Sequence, residues 1–400
     1  MFSAFRVCLA FTWSSHYTFS MDSTPKSFDK QNNILTLLRQ EWSLLASLVT
    51  TGLFLLFGGG WFMNLSNAPW FFFLLIWLFS VILLSAFAIV RHAESLAVIL
   101  GEPLGTLVLT LAVIGVEVLM ISAVMLTGGG KPTMARDTMF SVVVILLGGM
   151  TGIALLLGGL RHREQTYNLQ GANSYLALII PLAVLGLVLP NFTTTTTGPT
   201  LSAFQSVFYS VMSVSIYGVF LAVQTNRHRE YFVSPNAGSA TEHPHGEHDV
   251  GSTLHHSLFL VLYILPLIIL SKEFAIPLEY GTRVLGAPEA LSGFVVATLI
   301  LSPEAVSGVR AAIRNQMQRS VNIFLGSVLA TIGLTIPAVL TIGLITGKTV
   351  YLGLDAVNTI LLSSLLALSM ITFSSNRTNI LLGAMHLMFF LLYVMLVFEG

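Results

Sequence analysis

Residues 136–149 read RDTMFSVVVILLGG, and residues 314–327 read RNQMQRSVNIFLGS. Laid on each other without a gap, they agree at six of fourteen positions: Arg136/Arg314, Met139/Met317, Val143/Val321, Ile145/Ile323, Leu147/Leu325 and Gly148/Gly326. Apolar composition inflates chance identity, so the surroundings must agree too. They do. The apolar block before each window carries a lone glutamate, Glu117 in IGVEV and Glu304 in LSPEAV. The two glutamate-to-arginine spacings, 19 and 10 residues, differ by nine, and the loop Gly128-Gly129-Gly130-Lys131-Pro132 can absorb the difference. Self-similarity of this kind marks a duplicated unit.

The composition says where the unit resides. Of 400 residues, 54% are apolar and 9% charged, against about 25% charged in an ordinary globular chain. Mean hydropathy is +0.83. Eighteen acids balance eighteen bases, which leaves no basic surface for nucleic acid. The single cysteine, Cys8, excludes an internal disulfide framework and any multi-cysteine metal centre. A bilayer crossing needs about 20 mostly apolar residues as helix, because backbone polar groups find no water there. Eleven blocks qualify: 42–58, 69–90, 104–127, 138–160, 174–190, 201–224, 257–271, 291–312, 321–346, 350–373 and 380–398. The seventh is the shortest, and tilt, local thinning or snorkelling by Lys272 would accommodate it.

An odd number of crossings puts the termini on opposite sides, and the basic residues test the assignment. With the N-terminus inside, thirteen fall on the inner face (Arg6, Lys26, Lys30, Arg39, Arg91, Arg161, Arg163, Arg227, Arg229, Arg310, Arg314, Arg319 and Arg377) and five on the outer (Lys131, Arg136, Lys272, Arg283 and Lys348). That is the positive-inside asymmetry. The segment 1–41 has no convincing signal-cleavage pattern and is assigned no function. Met21, which opens its polar part, is a candidate alternative start.

Blocks two to six (69–224) and seven to eleven (257–398) form the two copies, with block one (42–58) extra and a polar connector at 225–256. Five crossings is an odd number, so the second copy enters from the opposite face. The expected fold is therefore an all-α polytopic membrane protein with two inverted five-helix repeats plus one N-terminal helix. Secondary transporters built this way hold their substrate at the midplane between repeats.

A carboxylate at the bilayer centre costs roughly 2.5–3.5 kcal/mol on insertion scales. Glu117 and Glu304 both lie well inside their blocks, and no Lys or Arg lies at comparable depth. Each is stabilised by a proton or by a bound cation, and mutual exclusion of those two occupants is the physical basis of antiport. The bland alternative is a protonated glutamate hydrogen-bonded to a neighbouring helix. Pro303 lacks an N–H and opposes the Leu299 carbonyl, which loosens the helix just before Glu304. Freed carbonyls are hard oxygen ligands. Ser302, Asn322, Ser327, Thr110 and Thr298 are candidate additional ligands, with interhelical hydrogen bonding as their alternative role. Glu94, Glu102, Glu289 and Asp355, near block ends, are candidate access-path carboxylates or helix caps. Arg136 and Arg314 read as interfacial anchors. The tract Glu242-His243-Pro244-His245-Gly246-Glu247-His248-Asp249, with His255 and His256 beyond, reads as a solvated connector, and sensing of metal or pH is its alternative.

Enzyme readings find no support: the chain has no GxSxG elbow, HExxH helix or Walker A loop. No loop is long enough to be an ATP-binding domain. Transport would therefore run on an ion gradient or downhill.

Residues 93–117, AESLAVILGEPLGTLVLTLAVIGVE, resemble the first repeat motif of the cation/Ca²⁺ exchanger superfamily, in its calcium/proton exchanger branch. Glu94, Gly101-Glu102, Gly105 and Glu117 fit that pattern's spacing. The second copy, PEALSGFVVATLILSPEAV followed by NIFLGSVLATIGLTIP, is similar to the bacterial sodium/potassium/calcium–proton antiporters. The resemblance implies that Glu117 and Glu304 are the paired cation and proton carriers. It implies export of Ca²⁺ and of Na⁺ or K⁺ for H⁺ across a bacterial inner membrane, with the N-terminus cytoplasmic and the C-terminus opposite. No cofactor beyond the transported ions, and no partner beyond the lipid bilayer, is expected. The alternative within the superfamily is a sodium/calcium exchanger without proton coupling. One departure matters. Ca²⁺-dedicated relatives carry a Gly-Asn-Ala-Val/Ala-Glu run in both copies, whereas this chain has Ile114-Gly115-Val116-Glu117 and Leu301-Ser302-Pro303-Glu304. The missing amide oxygens leave fewer hard ligands for a divalent ion.

Overall fold

The computed structural model describes residues 41–101, 104–127, 132–234 and 252–399. The segment 1–40, Glu102, the loop 128–131 and the His/acid-rich tract lie outside the described residues. Residues 43–400 form one unit. Eleven helices are described, and we number them α1 to α11: Trp42–Phe62, Ala68–Leu100, Leu104–Thr127, Met134–His162, Leu169–Asn191, Ala203–Arg227, Thr253–Arg283, Glu289–Ile313, Met317–Thr346, Ala356–Thr372 and Ile380–Glu399. Ten are long and apolar enough to cross a bilayer, and α10 is an apolar helix of 17 residues. The chain is an all-helical polytopic membrane protein.

Local chemistry starts several of these helices cleanly. Asn67 caps α2 with a proline in its first turn, Asn168 caps α5, and Ser202 and Gln205 form a reciprocal capping box on α6. Three lengths differ from the sequence reading. Helix α7 has 31 residues rather than the shortest span, because it runs on through Lys272 and Glu273 to a Glu279–Arg283 pair one turn apart (2.9 Å). Helix α2 has 33 residues, which puts Glu94 inside the helix instead of beyond its end. Block ten begins too early: residues 350–354 are not helical, all but Tyr351 are buried, and the Leu352 and Leu354 N–H groups donate to Pro199 and Leu187 carbonyls. A buried non-helical run is as apolar as a helix, so hydropathy alone cannot separate the two.

The connections fall into two sets at opposite poles. At one pole Gln165 bonds Thr378 and Asn315, while Asn168 bonds Gln318 and the Glu230 carbonyl. At the other, Tyr351 N–H donates to Pro132 and Lys348 Nζ to the Met125 and Leu126 carbonyls. Alternate loops therefore meet, as successive antiparallel helices require. The copies also exchange partners: α2 packs on α7, α4 on α8, and α3 on α9. Three helices, α4, α5 and α9, widen into π-turns mid-course, at Ile145–Met150, Val184–Val188 and Thr331–Thr335.

Candidate ion site

Glu117 on α3 and Glu304 on α8 are 3% and 8% exposed. Glu304 lies close enough to Glu117 for their charges to act on each other, and Glu94 acts in turn on Glu304. The structure thus gathers the two duplicated glutamates, with Glu94 of α2 acting on Glu304.

The strongest polar contact was not singled out in the sequence. Thr331 Oγ1, in the π-turn of α9, donates to Glu117 Oε2 at 3.0 Å. Thr335, four residues on, faces the same carboxylate, although its Oγ1 completes no hydrogen bond. Glu117 Oε1 and Glu304 Oε2 are likewise buried without a hydrogen-bond partner. An unsatisfied buried oxygen costs about 1–3 kcal/mol. Three of them around two carboxylates make a set of hard oxygen donors, which a proton or a small cation would satisfy. Among the described residues no group of three or more His, Cys, Asp or Glu has metal-ligand geometry, so two carboxylates with hydroxyl oxygens are the donors on offer.

Other candidates are placed as follows. Ser302 and Thr298 donate to carbonyls one turn back on their own helix (Thr298 O, 2.6 Å; Phe294 O, 2.8 Å), which leaves their oxygen lone pairs as the only ligand capacity. Asn322 is engaged at both ends, accepting from Gln318 Nε2 at 2.9 Å and donating to the Phe232 carbonyl at 2.7 Å. That contact fixes the root of the central connector to α9. Ser327 is half-buried on α9. Thr110, seven residues before Glu117, faces the Tyr217 hydroxyl. Asp355 caps α10, accepting from the Asn358 N–H at 2.9 Å. Glu289 opens α8 and lines a cavity of about 30 Å³ with Thr133, Asp137, Glu279, Thr282 and Ser292, at the pole of the α3–α4 and α7–α8 connections. There Arg136 pairs with Asp137 at 2.8 Å and bonds the Gly353 carbonyl. This is an anchoring role.

The signal for Thr331 and Thr335 is in the sequence as T-I-G-L-T-I-P: two hydroxyls one turn apart, with a proline two residues later. Threonine is common in membrane helices, and nothing local ties it to a glutamate 214 residues away.

Comparison with known proteins gives the same grouping. The chain is 41% identical over 325 residues to the sodium-potassium/proton antiporter ChaA of Escherichia coli (strain K12), covering 79% of this chain and 86% of that protein. It is 26% identical over 268 residues to the Ca²⁺/H⁺ antiporter of Aphanothece halophytica, covering 64% and 71%. The solved structure of native YfkE superposes with a TM-score of 0.69 at 18% identity, over 90% of this chain and all of that one, which is a likeness of fold. The family model described as sodium/calcium exchanger protein matches residues 70–226 and 255–399, one segment over each five-helix copy, and the chain belongs to that family.

Proposed function

We propose that this protein is a secondary antiporter that moves Ca²⁺, and Na⁺ or K⁺, against H⁺ by alternating access around Glu117 and Glu304. The observation that carries the reading is the pair of buried carboxylates with unsatisfied oxygens and, among the described residues, no ion pair to a basic side chain. A carboxylate there holds a proton or a cation, never both, so passage of one requires release of the other. The relative at 41% identity is named for sodium-potassium/proton antiport, and the one at 26% for Ca²⁺/H⁺ antiport. The broader cation range fits this donor set. Without asparagine amides beside the glutamates, the Thr331 and Thr335 hydroxyls are neutral oxygens that face Glu117. The basic-residue asymmetry supports a cytoplasmic N-terminus, and the bacterial relatives support a bacterial inner membrane.

The test uses everted vesicles from a host stripped of its own antiporters. A pH gradient is imposed and followed with a fluorescent amine while Ca²⁺, Na⁺ and K⁺ are added separately. Collapse by Na⁺ or K⁺ as well as Ca²⁺ supports the broad range, and collapse by Ca²⁺ alone narrows it. If no cation collapses the gradient, proton coupling is wrong, and sodium-dependent Ca²⁺ uptake at clamped pH becomes the expected activity.

The threonine contact makes a finer prediction. Thr331→Val keeps the shape but removes the donor, so the apparent KM for the driving cation is expected to change by about fivefold to tenfold. Thr331→Ser is expected to stay near wild type. Equal kinetics for Val and wild type would remove Thr331 from the site.

A further inference from the structure

The π-turn that presents Thr331 and Thr335 is held open by a neighbouring helix. In an ordinary helix the Gly333 carbonyl would accept from the N–H of residue 337, but that residue is Pro337 and has none. The Ile336 N–H meanwhile reaches back to Thr331 O, the wide-turn pattern. The orphaned Gly333 carbonyl is satisfied from α6, where the Ser213 hydroxyl donates to it at 3.0 Å. Ser213 is fully buried.

One turn further along α6, Tyr217 packs on the same glycine: a Cβ at Gly333 would lie 3.0 Å from the Tyr217 ring. The Tyr217 hydroxyl faces Thr110, which stands two turns before Glu117 and so on the same face of α3. Helix α6 therefore holds the α9 turn, through Ser213 and Tyr217, and turns Tyr217 toward α3.

The other repeat repeats the device without the hydroxyls. In the π-turn of α4 the Thr151 N–H goes to Leu146 and Gly148 carbonyls, and the passed-over Leu147 carbonyl receives His386 Nδ1 of α11 at 2.6 Å. A carbonyl only accepts, so His386 donates from Nδ1, and its Nε2 lies 2.8 Å from Thr372 Oγ1. No threonine hydroxyl is described against Glu304. A buttress in α11 thus closes a helix defect, whereas the one in α6 also sets where ligand oxygens stand.

We propose that Ser213, braced by Tyr217, is a positioning residue that sets the spacing of the Thr331 and Thr335 hydroxyls beside Glu117 and thereby the relative affinity of the site for Na⁺, K⁺ and Ca²⁺. The proposal rests on the reading of Glu117 as the ion site. A role confined to folding would lower the amount of protein and every rate together. A positioning role changes affinities between ions at an unchanged maximal rate.

The experiment measures apparent KM and maximal rate for each of the three cations in vesicles, normalised to the amount of inserted protein. Ser213→Ala is expected to shift the KM ratio between Ca²⁺ and Na⁺ or K⁺ by about fivefold, the size of one neutral hydrogen bond, with the maximal rate within about twofold. Ser213→Thr, which retains the donor, is expected to keep the wild-type ratio. Pro337→Ala restores an N–H at 337 and lets the turn close, so it is expected to shift the ratio too. Unchanged ratios in both Ser213→Ala and Pro337→Ala, or a uniform fall in all rates, would overturn the proposal. Glu117→Gln, run in parallel, separates the failures. If it exchanges normally, the site reading itself is wrong. If it is inactive while Ser213→Ala keeps its ratio, the positioning role alone falls.

Discussion

Glu117→Gln and Glu304→Gln are each expected to lower cation/proton exchange by at least about 100-fold, the rate equivalent of about 2.7 kcal/mol. The substitution is close to isosteric. Glutamine keeps a carbonyl oxygen that accepts from Thr331 Oγ1 at position 117, so the α3–α9 contact survives. It is permanently neutral, however. A proton can no longer be exchanged for a cation at that position, and transport stops without any loss of packing. The measurement is gradient collapse in everted vesicles, beside a size-exclusion profile of the detergent-extracted protein. A normal profile with no exchange is the expected pair of results. Wild-type exchange in either variant would sink the assignment of that glutamate. Because the two charges act on each other, the double substitution is expected to show no less exchange than the worse single one. Groups that work as a unit are not additive in their loss.

What made the glutamates legible was that their cost does not depend on the fold. A carboxylate in an apolar block is expensive wherever its helix goes, so two of them at matching repeat positions could be identified before any contact was known. The helix count and the inverted duplication were legible for the same reason, since hydropathy and basic-residue placement are properties of segments. Helix ends were harder. The charges on α7 at Lys272, Glu273, Glu279 and Arg283 look like an exit from the membrane, yet the helix continues through them. Side-chain roles that depend on long-range pairing were not legible at all. Asn322 bonds Phe232, 90 residues away, and Thr110 faces Tyr217 of α6. The same residues in the same helices, with α6 or the connector packed elsewhere, would have been candidate ligands still.

The second large effect is expected at a crossing far from any charge. Helices α4 and α11 meet at Gly152 and Gly383, and a Cβ on Gly152 would lie 2.7 Å from the Leu387 backbone nitrogen and 3.0 Å from the Gly383 carbonyl. Gly148, one turn earlier on α4, makes the small-xxx-small spacing that lets two backbones touch in lipid. In a bilayer such packing is what holds helices together, because lipid tails are as apolar as the side chains. The obstruction here is backbone, which cannot rotate away as a side-chain tip can. Ordinary overpacking costs about 1–3 kcal/mol, and Gly152→Leu is expected to exceed that range and to abolish the monodisperse size-exclusion peak. The same separation would displace the π-turn of α4 from His386, whose bond to Leu147 depends on that approach. Gly52→Leu on α1 is the control, since a Cβ there meets nothing within 4 Å and only lipid has to move. A monodisperse, active Gly152→Leu protein would mean that α11 does not sit against α4 as described. The brace on the α4 turn would then have to be redrawn, while the Glu117–Thr331 contact, held from α6, would stand.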